Sequence, residues 1–278
     1  MAKKVAIVGL GWLGMPLARA LVGRGWQVTG SKTTEDGVQA ARASGIPASL
    51  LTLDPEPQCD PDDLAELLDV DALVVTLPAR RTVETSEQYI QAVQNIVDMA
   101  LARQVRHIIF TSSTSVYGNL QGEADEESAL DPVTPAGGSL VRLEQWLHDL
   151  PGTPVDILRL AGLVGPARHP GRFLAGKTGL SHGRQGVNLV HLDDVISAIV
   201  MLLEQPAQGA VYNLCAEGHP SREDYYTRLA ANAGWIPPVF DGEPATMAGK
   251  EVNGQRICRE RGFRYQWPDP YDMPFAQG

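Results

Sequence analysis

The stretch Gly9-Leu10-Gly11-Trp12-Leu13-Gly14 constrains this chain more than any other. It spells GxGxxG directly after an unbroken apolar, β-branched run and directly before a helical pattern over about 13–23. The run at 4–8 reads as a strand buried on both faces. Between strand and helix, the first glycine permits a tight turn and the second lets the backbone approach a pyrophosphate. The third lets helix pack on strand. The free N–H groups and partial positive charge of the helix start then face the phosphates. The motif predicts a dinucleotide cofactor held by Gly9, Gly11, Trp12, Leu13 and Gly14.

Downstream, strand patterns at 27–29, 49–53, 71–77, 106–112 and 155–160 alternate with helical ones at 38–43, 60–68, 84–104 and 140–150. Such alternation predicts right-handed crossovers and an α/β fold, a Rossmann-type doubly wound parallel sheet. Residues 119–135 read as an acidic surface loop and 166–186 as irregular chain rich in Gly, Arg and His. A strand at 187–191, helices at 193–204 and 222–233 and a strand at 211–214 follow. The expected division is a cofactor-binding core over 1–165 and a small C-terminal α/β substrate lobe over 166–278. In that division residues 187–215 return to the core and a cleft separates the two.

Composition narrows the function classes. Twenty-three bases against 33 acids give a net charge of −10 with no basic run, which argues against nucleic acid or an anionic membrane as partner. No apolar run approaches the ~18 residues of a membrane span, and the opening residues lack the cleavage pattern of a secretory signal. Cys59, Cys215 and Cys258 lie far apart without a CxxC, as thiols of a reducing, cytoplasmic protein do. The histidines form no metal-ligating spacing, so no metal is expected. A small-molecule substrate is the expected partner, with a monomer or homodimer as the assembly.

At the end of the second strand, the acid that would bind a ribose 2′-OH is replaced by Gly30-Ser31-Lys32-Thr33. Hydroxyls at Ser31 and Thr33 and an ammonium at Lys32 suit a 2′-phosphate, so NADP(H) is the preferred cofactor and NAD(H) the alternative. The competing reading is a solvated turn.

With Thr111-Ser112-Ser113-Thr114-Ser115-Val116-Tyr117-Gly118 the chain resembles the extended short-chain dehydrogenase/reductases, the NAD-dependent epimerase/dehydratase family. Ile157-Leu158-Arg159-Leu160-Ala161-Gly162-Leu163-Val164-Gly165-Pro166, Val190-His191-Leu192-Asp193-Asp194-Val195 and Val211-Tyr212-Asn213-Leu214 continue the resemblance in order. It implies that Ser113 contacts a substrate oxygen beside the nicotinamide, with Ser112 bordering the cofactor and Asp54 contacting the adenine. The family's acid/base tyrosine and its lysine four residues later are missing. Anchored on Glu144, those positions fall on Ala136 and Leu140, and none of the five lysines follows a tyrosine at that spacing. The chain therefore resembles an atypical branch. Tyr117 is the candidate substitute acid, although its family counterpart is mostly architectural.

Thr76, Leu77 and Pro78 follow the fourth strand at the carboxyl edge, where their backbone is expected to border the cofactor. Arg80 and Arg81 hold a phosphate or carboxylate, or form a solvated pair. Arg168, His169, Arg172, Lys177, His182 and Arg184 concentrate positive charge where the substrate lobe begins. They suggest an anionic substrate, contacted by Arg80, Arg168, His169 and Lys177, against the bland alternative of solvated loop charge. His191 and Asp193 read as a buried histidine and a helix cap.

Two functions remain open. One is an NAD(P)-dependent oxidoreductase, epimerase or dehydratase with non-standard proton transfer on a small, polar, anionic substrate. The other is a cofactor-binding sensor that has lost catalysis. A 6-phosphogluconate-dehydrogenase-like enzyme shares the opening motif, but the strands after residue 187 argue against its all-helical C-terminal domain.

Overall fold

In a computed structural model, residues 3–242 and 249–275 are described. The first strand, β1 (Lys4–Val8), runs into α1 (Gly14–Val22), followed by β2 (Gln27–Lys32), α2 (Glu35–Ala43) and β3 (Ala48–Leu50). A short antiparallel pair, β4 (Thr52–Leu53) and β5 (Pro57–Gln58), precedes α3 (Pro61–Leu68), β6 (Ala72–Val75) and α4 (Val83–Ala102). Then come β7 (His107–Ser113), β8 (Gly122–Ala124), α5 (Pro135–His148), β9 (Val155–Leu160) and β10 (Gly162–Val164). The remainder comprises β11 (Leu189–His191), α6 (Leu192–Glu204), β12 (Val211–Leu214), α7 (Arg222–Asn232), β13 (Lys250–Val252) and α8 (Arg256–Arg261).

Seven strands form one parallel sheet in the order β12-β9-β7-β6-β1-β2-β3. Val5, Ala6, Ile7 and Val8 of β1 have no exposed surface, because β1 lies inside the sheet between β6 and β2. Each β1 side chain thus packs under a helical layer, which is why the run has no polar alternation. Strand order reverses at β1: the chain first moves outward through β2 and β3, then returns to β6 on the other side. Ligands of doubly wound sheets bind outside the carboxyl ends at such a reversal.

The helix starts are set by local caps. The Thr34 hydroxyl accepts from the Gly37 N–H, the Asp60 carboxylate from Asp62 and Asp63, and the Thr134 hydroxyl from Gly137. Capping at Thr34 starts α2 three residues before the expected 38. Thr134 with Pro135 starts α5 at 135, five residues early, inside what reads as a glycine-containing loop.

The described chain divides into two compact units. The first runs through Val116 and adds Pro132–Arg159 and Ile196–Val211; the second holds Tyr117–Asp131, Leu160–Val195 and the described residues from Tyr212 onward. This division differs from the expected one. The segment 119–135 contains β8, which pairs in parallel with the distant β13. Likewise β11 pairs with β10 in the second unit, and only part of 187–215 belongs to the first. The second unit has its own core of Val164, Val187, Leu189, Tyr225, Leu229 and Met273. Among the described residues no helix is long and apolar enough to cross a membrane.

Candidate functional site

The glycine turn at the end of β1 is built as its spacing demands. Gly9 has φ +107, a conformation that favours glycine, and a Cβ at Gly14 would collide with the Gly9 carbonyl oxygen. The Gly9 N–H donates to Ser31 Oγ at 3.1 Å and the Leu10 N–H to the Ser31 carbonyl at 2.9 Å. From the other side, Thr76 Oγ1 donates to the Gly9 carbonyl at 2.7 Å. Side chains at the ends of β2 and β6 therefore brace the turn.

Gly11 stands apart. It is exposed, and a Cβ added there would meet no described residue within 4 Å apart from its chain neighbours. Immediately beyond, Leu13 begins α1 without a side-chain cap, and the first turn holds no acid. An uncapped helix start beside open space fits a phosphate-bearing group. The glycine turn thus suits the dinucleotide that the motif implies.

Beside this turn lies a cavity of about 230 Å³. The sequence candidates Gly9, Ser31, Thr33, Asp54, Leu77, Pro78 and Arg80 all line it. Leu51, Leu53, Gln88, Tyr89 and Ala92 line it too and escape the sequence reading. The last three share one face of α4, and Tyr89, almost wholly buried, donates its hydroxyl to the Leu77 carbonyl at 3.2 Å. Burial pushes that phenol far above the usual tyrosine range, so it remains a neutral donor. A stripe at 85, 89, 92 and 96 was the available signal, but it is indistinguishable from ordinary core spacing. Lys32 does not line the cavity; its stem faces Gly37. A larger, open groove of about 1260 Å³ lies among Lys3, Gln27, Ala72 and His107, at the opposite ends of the strands, away from the carboxyl edge.

At the end of β7 the two serines have different fates. Ser112 is buried and donates its hydroxyl to Glu144 Oε1. Glu144 also accepts from Arg159 Nε at 3.0 Å and Nη2 at 2.7 Å, which joins β7, α5 and β9. Ser113 is half-buried, and its Oγ accepts from the Ser115 N–H at 3.1 Å. No acceptor for the Ser113 hydroxyl proton is found among the described residues.

In the second unit, Tyr117 has no exposed surface and donates to Asn213 Oδ1 at 2.7 Å. Its hydroxyl is thus held inside the protein, as an architectural tyrosine's is. His169, expected as an anion contact, has partners within the protein. Its Nδ1 accepts from the Gly171 N–H at 3.1 Å, and its ring packs against Trp235 and Phe275 with centroids 4.9 and 4.7 Å away. Burial, and then the Arg172 charge, lower its pKa and favour the neutral ring. Arg168 and Lys177 are exposed. His191 is buried: Nε2 donates to the Pro274 carbonyl at 3.0 Å while Nδ1 accepts from the Asp193 N–H at 3.2 Å. Asp194 accepts from the Gln266 and Trp267 N–H groups, and its burial raises the carboxyl pKa.

Comparison with known proteins agrees with this architecture. The model of the NAD dependent epimerase/dehydratase family matches residues 5–215. The chain is 61% identical over 272 residues to Protein YeeZ of Escherichia coli (strain K12), covering 98% of this chain and 99% of that one. A functionally unknown conserved protein from Silicibacter pomeroyi DSS superposes with a TM-score of 0.77 at 26% identity, covering 96% and 95% of the two chains. UDP-glucuronic acid 4-epimerase from Bacillus cereus, solved in complex with NAD, also gives 0.77, at 18% identity and with 95% and 92% covered. With the glycine turn, the parallel sheet and the matched span in agreement, the chain belongs to the NAD-dependent epimerase/dehydratase family.

Proposed function

We propose that this protein binds a nicotinamide dinucleotide and uses it as an oxidoreductase, epimerase or dehydratase on a small, polar, anionic substrate. One observation carries the reading: the cavity beside the glycine turn gathers Gly9, Ser31, Thr33, Asp54, Leu77, Pro78 and Arg80 from four separate strand ends. The uncapped start of α1 and the open space at Gly11 would take the pyrophosphate. When bound, the nicotinamide supplies hydride exchange, and the protein's part is to bind, orient and manage protons. Ser113 offers its hydroxyl proton to a substrate oxygen. The Bacillus cereus neighbour is a sugar-nucleotide epimerase with NAD, which supports that substrate class.

NADP(H) is the preferred cofactor in this reading, because Gly30-Ser31-Lys32-Thr33 at the end of β2 holds no carboxylate and Ser31 and Thr33 line the cavity. One observation favours the second reading, a cofactor-binding sensor. The tyrosine–lysine pair is absent, and the Tyr117 hydroxyl is held by Asn213. Calorimetric titration with NADPH and NADH tests both readings at once, since the purified protein must bind at least one. Binding of neither overturns them. Oxidation or reduction of the bound nicotinamide with sugar nucleotides or hydroxy acids then separates enzyme from sensor.

A further inference from the structure

The loop after β6 carries two arginines, and the fold treats them differently. Thr76 ties the start of this loop to the glycine turn: Oγ1 donates to the Gly9 carbonyl at 2.7 Å and its N–H to the Val8 carbonyl at 3.0 Å. The Leu77 carbonyl accepts from the Tyr89 hydroxyl of α4 at 3.2 Å. Three residues further on, Arg80 lines the cavity of about 230 Å³ beside the turn, whereas exposed Arg81 does not. Lys32 does not line it either. The cation at this cavity therefore comes from the loop after β6, not from the end of β2.

Three donors on the cavity wall, all within the first unit, have no acceptor in the protein. Ser31 is 4% exposed; its Oγ accepts the Gly9 N–H at 3.1 Å, and its hydroxyl proton has no acceptor among the described residues. The Thr33 hydroxyl and the Arg80 guanidinium likewise have no hydrogen-bond or ion-pair partner among the described residues. Buried donors are ordinarily satisfied, and an oxyanion would satisfy all three at once. Asp54 is the other charged side chain of the wall, and it makes no ion pair with Arg80. A carboxylate accepts from the amino group of a base and repels a phosphate, while a guanidinium does the reverse. Asp54 thus suits the base and Arg80 the anion. That anion is not the pyrophosphate, because Gly11 and the start of α1 do not line the cavity. Ser31 and Thr33 stand where doubly wound folds read the ribose 2′ position.

We propose that Arg80 is a specificity-determining residue, whose guanidinium binds the 2′-phosphate of NADP(H) together with the Ser31 and Thr33 hydroxyls. The inference rests on the functional reading above and names the residue that sets its cofactor preference.

The test titrates the full chain with NADPH and NADH by calorimetry. Wild type should prefer NADPH, and Arg80→Met, which keeps an apolar stem without the charge, should weaken NADPH about 10- to 100-fold with NADH nearly unchanged. Arg81→Met, next in the chain but outside the cavity, should change NADPH affinity little. Unchanged NADPH affinity in Arg80→Met overturns the proposal, as does equal wild-type affinity for the two cofactors. Equal losses for both cofactors in Arg80→Met also overturn it, since that pattern belongs to stacking on the base. An equal loss in Arg81→Met does so too, because it belongs to the charge of the loop as a whole. Wild type that binds NADH and not NADPH overturns the Arg80 assignment and leaves the dinucleotide reading standing; binding of neither overturns both. Phosphorus-31 NMR of bound NADP⁺ gives a second readout, one that a structural role for Arg80 would not move. A free phosphate monoester titrates near about pH 6. Bound to wild type it should titrate lower, because the guanidinium favours the dianion, and Arg80→Met should return it toward the free value. Equal midpoints in wild type and variant overturn the contact.

Discussion

Glu144 and Arg159 meet in the interior at 2.7 Å, with side chains 4% and 6% exposed, and the other carboxylate oxygen takes the Ser112 hydroxyl. Water is excluded from this ion pair, so its members depend on each other. Glu144→Ala removes the carboxylate that accepts from Arg159 and Ser112 and should lower unfolding free energy by about 3–5 kcal/mol. Glu144→Ala with Arg159→Met removes both charges and should regain much of that loss. Urea unfolding of the three proteins checks it; a double variant no more stable than the single one would contradict the pairing.

Gly11 permits a cleaner test of cofactor binding than the other glycines of the turn. Among the described residues, chain neighbours aside, nothing lies within 4 Å of an added Cβ, so Gly11→Val should leave the unfolding midpoint nearly unchanged. The new side chain would occupy the space needed for close backbone approach to the pyrophosphate. Calorimetry should show dinucleotide affinity lost; a folded variant that binds as wild type does would remove the turn from the site.

Lys32 tests cofactor preference. A charge-assisted hydrogen bond to a 2′-phosphate predicts that Lys32→Ala weakens NADPH about 10- to 150-fold while NADH barely changes. Since Lys32 does not line the cavity itself, its half-buried stem must swing from Gly37 to reach the phosphate. Equal losses for both cofactors would sink the assignment.

Ser113→Ala deletes a hydroxyl whose proton has no acceptor among the described residues. Its loss should reduce kcat on an identified substrate by about 10²–10³-fold, with cofactor Kd unchanged. Steady-state kinetics beside a cofactor titration decides the matter, and an unchanged kcat takes Ser113 out of the chemistry.

His169 should make stability depend on acidity. Its pKa is lowered in the folded protein, first by burial and then by Arg172, while in the unfolded chain it titrates near about 6.5. Below that value the unfolded chain binds the extra proton first, so stability falls as pH drops toward the folded pKa. His169→Gln should flatten this part of the profile. Urea midpoints compared at about pH 8 and about pH 5.5 test it; the same decline in both proteins would clear His169 of the effect.

Local chemistry made much of this protein legible. The all-buried β1 run, the glycine spacing and the strand–helix alternation each depend on residues close in sequence, and they determined the Rossmann-type sheet and its dinucleotide turn. The absence of the tyrosine–lysine pair was equally a matter of reading positions 136 and 140. Cap chemistry at Thr34 and Thr134 was present in the sequence too, but glycines in the first turn concealed both helix starts.

What only the tertiary structure decided are partnerships between distant residues. Ser112 gives its hydroxyl to Glu144, Tyr117 gives its hydroxyl to Asn213, and the His169 ring packs against Trp235 and Phe275. Lys250 reaches Gly118 across 132 positions of chain. A hydroxyl, imidazole or ammonium has the same chemical capacity wherever it stands in a sequence. Whether it remains available depends on which donor, acceptor or ring the fold brings against it, and on how much water the surrounding core excludes.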